Sequence, residues 1–106
     1  MLYELREYPI KPGCLAEFVR FMDEELLPFQ KDKGATVVGA FTVPGDPTRY
    51  VWIRAFTDEK ERERICQAIY GSSDWERRFL PKCSALMDLN AIKITWLEPT
   101  PGSALQ

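Results

Sequence analysis

The segment Leu2–Tyr8 reads with a period of two. Leu2, Glu4, Arg6 and Tyr8 share one face, and Tyr3, Leu5 and Glu7 share the other, which predicts a strand. Lys11-Pro12-Gly13 ends it as a turn. From about Cys14 the period lengthens. Leu15, Phe18, Val19, Met22, Leu26 and Phe29 recur at steps of three and four, with Glu17, Arg20, Asp23 and Glu24 on the wet side, the stripe of an amphipathic helix. Pro28 has no N–H for the carbonyl four residues back and predicts a kink or an altered last turn. Gly34 closes the helix. Ala35–Val43, rich in Val, Thr and Phe, and Arg49–Phe56 predict two further strands. Pro44-Gly45-Asp46-Pro47 between them is a reversal, so the pair forms a hairpin. Asp58 and Glu61 have the spacing of a capping box for a helix that turns Ile65, Cys66 and Ile69 inward and ends near Gly71. Ser73 and Glu76 repeat that spacing before a short helix bearing Trp75, Phe79 and Leu80, which Pro81 ends or bends. Ala91–Glu98 is the last strand, with Ile92, Ile94 and Trp96 on one face and Lys93, Thr95 and Leu97 on the other.

The order is strand, helix, strand, strand, helix, short helix, strand. It predicts an α+β, ferredoxin-like βαββα(α)β domain over residues 1–98 with a four-stranded antiparallel sheet, followed by a flexible tail over 99–106. Two helices cover one face of such a sheet. Here both faces carry large apolar groups: Tyr50, Trp52 and Phe56 alternate with Val51, Ile53 and Ala55. An uncovered apolar face of that size predicts a second copy packed on it, hence a homodimer.

Composition narrows the chemistry. The 106 residues suit one domain, and 45% hydrophobic with 28% charged residues is an ordinary globular balance that argues against disorder. The net charge of −2, without a basic face, argues against nucleic acid as a partner. No apolar run approaches the roughly 18 residues of a membrane span, and charge appears at once after Met1, so no targeting peptide is expected and cytoplasmic residence is the default. The chain has no histidine, which removes imidazole general acid–base chemistry, the common haem ligand and most zinc sites. Cys14, Cys66 and Cys83 are odd in number and lack metal-ligand spacing. No metal and no cofactor is expected, because no motif for either occurs.

The candidate site follows from strand faces. In a ferredoxin-like sheet the first and third strands are neighbours, so Glu4, Arg6 and Tyr8 lie beside Tyr50, Trp52, Arg54 and Phe56. Buried charge needs a partner. One reading is ligand orientation: Arg54 or Arg6 binds a carboxylate, enolate or carbonyl oxygen between the aromatic walls Trp52 and Trp75. The other is structural: a Glu4–Arg6 or Glu4–Arg54 pair holds strands or protomers together. Trp75 fits either a lid or plain packing. The run Asp58–Arg64 reads as a solvated helix face with spaced ion pairs. No residue is assigned a catalytic role.

Tyr3-Glu4-Leu5-Arg6-Glu7-Tyr8 followed by Lys11-Pro12-Gly13, the strand Tyr50-Val51-Trp52-Ile53-Arg54-Ala55-Phe56, and Tyr70-Gly71 with Trp75 resemble the signatures of NIPSNAP-domain proteins. The resemblance runs from Leu2 to about Glu98. It implies the dimeric α/β-barrel superfamily, in which two such sheets close into a barrel and each protomer keeps a cavity between sheet and helices. The family has no settled activity. The superfamily includes cofactor-free monooxygenases of polycyclic aromatics, haem-degrading enzymes, isomerases and ligand sensors, and fold alone selects none of them. The chain has Ser73, Arg78, Ser84 and Leu86 where the family pattern has Pro, His, Asn and Thr, so chemistry at those points does not carry over. The mitochondrial location of animal members does not carry over either. The expectation is a homodimer that binds a small apolar or aromatic oxygen-bearing molecule, whether or not it transforms it without a cofactor in a monooxygenase- or isomerase-like reaction. The alternative is a non-enzymatic dimerisation or scaffold module that recognises a protein partner.

Overall fold

In the computed structural model, which describes residues 1–106, four strands form one antiparallel sheet. They are β1 (Leu2–Pro9), β2 (Thr36–Val43), β3 (Asp46–Phe56) and β4 (Lys93–Leu97), in the spatial order β2-β3-β1-β4. The order is that of a ferredoxin-like fold, with β1 and β3 central. Strand β3 starts at Asp46 rather than Arg49. Gly45, at φ +83°, completes the reversal in a conformation that side chains resist, and Asp46 Oδ1 then accepts from Thr48 N at 3.0 Å and Oγ1 at 2.7 Å.

The first helical rod is α1 (Leu15–Phe21), a π-helical turn (Met22–Leu26) and α2 (Leu27–Asp32). The N–H of Leu27 donates to the carbonyl of Met22, five residues back. This wider turn directly precedes Pro28, whose ring would crowd the carbonyl four residues earlier in a regular helix. The same device recurs before Pro81. After α3 (Glu59–Tyr70) comes a π-helical turn (Trp75–Phe79), in which Leu80 N–H donates to Trp75 O, and then α4 (Leu80–Leu86). Pro81 therefore does not end the helix. The rod runs on to Leu86 and delivers Cys83 and Leu86 to the core. Its cap also differs from the expectation. Ser72, not Ser73, accepts the Trp75 N–H on its Oγ at 3.1 Å. At α3, Asp58 Oδ1 accepts from Glu61 N at 2.8 Å as expected, whereas Glu61 reaches back to Thr57 N and Oγ1.

The helices pack on the face that carries Glu4, Arg6 and Tyr8. There Tyr8, Tyr50 and Trp52 are buried against Phe18, Phe21, Met22, Leu26, Phe79 and Leu86. A second group joins α3 to β3 through Ile65, Ile69, Phe56 and Ala35. The helices leave the β4 end of this face uncovered: Ile94 and Trp96 stay 41% and 43% exposed. On the opposite face Leu5, Val51 and Ile53 are half-buried, and Phe41 and Leu97 are exposed. Residues 99–106 turn at Pro101-Gly102, so that Leu105 joins Tyr3, Ile53 and Leu97 around a concavity of about 280 Å³ on that open face. No helix is long and apolar enough to cross a membrane.

Candidate binding site

Strand register assembles the site. Across β1 and β3, Glu4 is opposite Arg54, Arg6 opposite Trp52, and Tyr8 opposite Tyr50. Across β1 and β4, Glu4 is opposite Trp96 and Arg6 opposite Ile94. Paired residues in an antiparallel ladder share a face, so all of these side chains project toward the helices.

Glu4 is the hub. Its Oε1 accepts from Arg6 Nη1 at 2.8 Å and from Arg54 Nε at 2.9 Å, and its Oε2 accepts from Arg62 Nε at 3.2 Å. Arg54 spends its remaining donors on Gln30 Oε1 (2.9 Å), the Tyr70 hydroxyl (3.0 Å) and Cys66 Sγ (3.5 Å). Its guanidinium also lies among the rings of Trp52, Phe56 and Tyr70, with Cζ 5.4–5.5 Å from each centroid. Arg6 Nε donates to the Tyr8 hydroxyl at 2.9 Å, and its Cζ lies 5.5 Å from the Tyr8 ring and 5.8 Å from Trp52. Arg62 spans from α3 to β4, stacking on Trp96 at 4.4 Å.

The electrostatics follow from this geometry. Burial works to raise the Glu4 pKa, but the attraction of Arg54 and Arg6 and the hydrogen bonds from Arg6 and Arg62 outweigh it, and the carboxyl is held below its usual range. Burial pushes the Tyr8 phenol up, against the pull of Arg6, so it is neutral at physiological pH. Two buried polar atoms have no partner, Trp52 Nε1 and the Tyr50 hydroxyl.

Of the residues expected from sequence, Glu4, Arg6, Tyr8, Trp52 and Arg54 come together in this cluster. Trp75 reaches it only indirectly, packing edge-on against Tyr70 at 4.8 Å between ring centroids. The cavity beside Arg54 that the family resemblance implied is not found. Arg54 is fully buried, and none of the five surface concavities is lined by Glu4, Arg6, Trp52, Arg54 or Trp75. Side chains fill that space. The cluster approaches solvent at its other end, through Arg6 and Arg62, whose side chains are 11% and 25% accessible.

Sequence reasoning missed Gln30, Arg62, Tyr70 and Trp96 as members. Gln30 did carry a signal: it lies four residues after Leu26 on the apolar stripe, where a polar residue is out of place. Arg62 carried none, because it sits inside the charged run that reads as solvated. That reading holds for its neighbours and fails for Arg62 itself, which turns inward to Glu4.

A ferredoxin-like sheet with one arginine-rich cluster on its helix side defines the structural class. The NIPSNAP family model matches residues 3–104, and the chain belongs to that family. A solved NIPSNAP family protein of Agrobacterium tumefaciens superposes with a TM-score of 0.89 at 26% identity, over 100% of this chain and 94% of that one. A second NIPSNAP family protein of that organism gives 0.88 at 22% identity, over 99% and 98%. An antibiotic biosynthesis monooxygenase gives 0.69 at 18% identity, over 95% and 100%, a likeness of fold alone. No curated protein matches the chain.

Proposed function

We propose that this chain is a homodimeric small-molecule-binding domain, which holds an apolar or aromatic molecule with an oxygen function at the Arg6 end of the cluster. The observation that supports this is the concentration of Arg6, Arg54 and Arg62 on the single carboxylate of Glu4 within an aromatic surround. Arg54 is consumed by protein partners and acts as the anchor that fixes Glu4 and Arg6. Arg6, at the uncovered β4 flank, is the ligand-facing member. The ligand's apolar body finds Ile94 and Trp96 beside it. The dimer reading rests on the open face, where Phe41 and Leu97 are exposed beside Leu5, Val51 and Ile53. Transformation of the ligand would rely on positioning and desolvation by these side chains.

Native mass spectrometry of freshly purified protein tests both parts. A dimer that carries extra mass supports the reading and gives a compound to identify. A monomer overturns the dimer. The filled space beside Arg54 favours a second reading, a scaffold whose arginine cluster only holds the fold. A clean dimer that no aromatic oxygen compound perturbs would establish that one instead.

A further inference from the structure

The charges of the cluster do not sum to zero. Glu4, Arg6 and Arg54 are the buried charged side chains, so two guanidiniums face one carboxylate. Arg62 does not correct this. It is itself cationic, and its further carboxylate partner is the exposed Glu59, 3.5 Å away. The Tyr8 hydroxyl accepts from Arg6 and is neutral. One positive charge is left over at a place where unpaired charge is costly.

One hydrogen-bond donor is free at the same end. Trp52, whose buried Nε1–H has no acceptor, stands on β3, the side of Arg6 away from β4, and takes no part. Arg6 uses Nε on Tyr8 and Nη1 on Glu4, and its Nη2 donates to no protein atom. Arg54, by contrast, has its donors met on a closed side. Both the missing charge and the missing acceptor therefore lie at Arg6, the end of the cluster that opens beside Ile94 and Trp96.

We propose that the flank between α3 and β4 binds a monoanionic carboxylate on an aromatic or apolar body. The carboxylate meets Arg6 and Arg62, and the body lies on Trp96 and Ile94. This deepens the binding reading above and rests on it. A carboxylate suits planar guanidinium donors, which can engage it in bidentate fashion. It supplies one negative charge against one left over, whereas a dianion would leave the opposite imbalance. The stacking of Arg62 on Trp96 holds its guanidinium at the flank in advance, and the aromatic ring offers a face for a planar ligand.

The test compares benzoate and naphthoate with the matching amides, which keep the shape and lose the charge. Titrations at neutral pH are followed by thermal unfolding and by the indole N–H resonances of the three tryptophans. The carboxylates should raise the melting temperature, shift the Trp96 indole signal, and bind about tenfold more tightly than the amides, the scale of a charged hydrogen bond. Arg62→Gln, at the rim where folding is least at risk, should remove most of that tenfold preference. Equal binding of acids and amides at the Trp96 indole would sink the charge assignment and leave the binding reading standing. Acid binding that leaves the Trp96 indole unmoved, or ignores Arg62→Gln, would overturn the site. If neither class binds, both the assignment and the binding reading fall.

Discussion

Glu4 and Arg54 stand opposite each other on β1 and β3, and Arg54 Nε donates to Glu4 Oε1 at 2.9 Å with both side chains removed from water. The two partners are unequal. Glu4 is the only carboxylate among the buried charges, while Arg54 is one of two buried guanidiniums. Glu4→Gln leaves like charges facing each other and should cost about 3–5 kcal/mol, the range for stranding a buried charge. Arg54→Met leaves Glu4 with Arg6 and Arg62 and strands Gln30 Oε1, while the Tyr70 hydroxyl still accepts from Gln30 Nε2 at 3.4 Å. It should cost about 1–3 kcal/mol. Urea unfolding of both variants and of the double variant checks the order, and the double should lose less than the sum of the singles.

The acid limb of stability should report Glu4. Its carboxyl is held below the ordinary value of about 4.3 for a glutamate. Its contribution is therefore complete above the unfolded value and is lost as pH falls through the lower folded one. The stability gap between the native chain and Glu4→Gln should be flat from pH 7 to 5 and should close below pH 4. A gap that closes near neutrality would mean that the carboxyl is not held down by its arginines.

Cys83 should be inert in the folded protein. It is buried on α4, and burial pushes its thiol up to about 11, so little thiolate forms at pH 8. Cys14 and Cys66 are only partly buried. A thiol-specific disulfide reagent should titrate Cys14 and Cys66 in the native state and reach Cys83 only on unfolding. Native labelling of Cys83 would contradict its placement.

Phe41, 51% exposed on the face away from the helices, separates the monomer fold from the dimer. Phe41→Lys removes no core contact and should change monomer stability by less than about 0.5 kcal/mol. It would place a charge on the proposed interface. Sedimentation equilibrium should show the native chain as a dimer and the variant shifted toward monomer. Equal masses for the two would show that this face is not the interface.

The two serines before Trp75 give a sharp local comparison. Ser72 Oγ accepts the Trp75 N–H and donates to Ile69 O at 2.7 Å, joining the end of α3 to the next helical turn. Ser72→Ala should cost about 0.5–2 kcal/mol, while Ser73→Ala should be close to neutral. Thermal unfolding of the two variants decides which is the cap.

The strand faces and the helical stripe were legible in the sequence because they are local periodicities. A period of two at Leu2–Tyr8 puts Glu4, Arg6 and Tyr8 together whatever else the chain does, and steps of three and four put Phe18, Met22 and Leu26 on one side. The strand order follows from the order of elements and makes the strands of Glu4 and Arg54 neighbours, but the register that sets Glu4 opposite Arg54 and Arg6 opposite Trp52 is seen only in the folded sheet. The family was legible in the same residues. Other features were not local. Proline chemistry foretold a disturbance at Pro28 and Pro81, but only packing against the sheet makes the chain widen into π-helical turns and continue, since stopping at Pro81 would withdraw Cys83 and Leu86 from the core. A charged run has the same pattern whether or not one of its members turns inward. Arg62 does so because α3 lies within its reach of Glu4 and Trp96, a distance set by tertiary packing. Which end of the cluster is open was also decided in three dimensions. Helices cover β3 and β1 but stop short of β4, so Arg54 is sealed while Arg6 and Arg62 approach solvent. The sequence by itself determined the fold, the family and the charges that converge. Tertiary packing decided which of those charges are consumed by the protein and which remain for a partner.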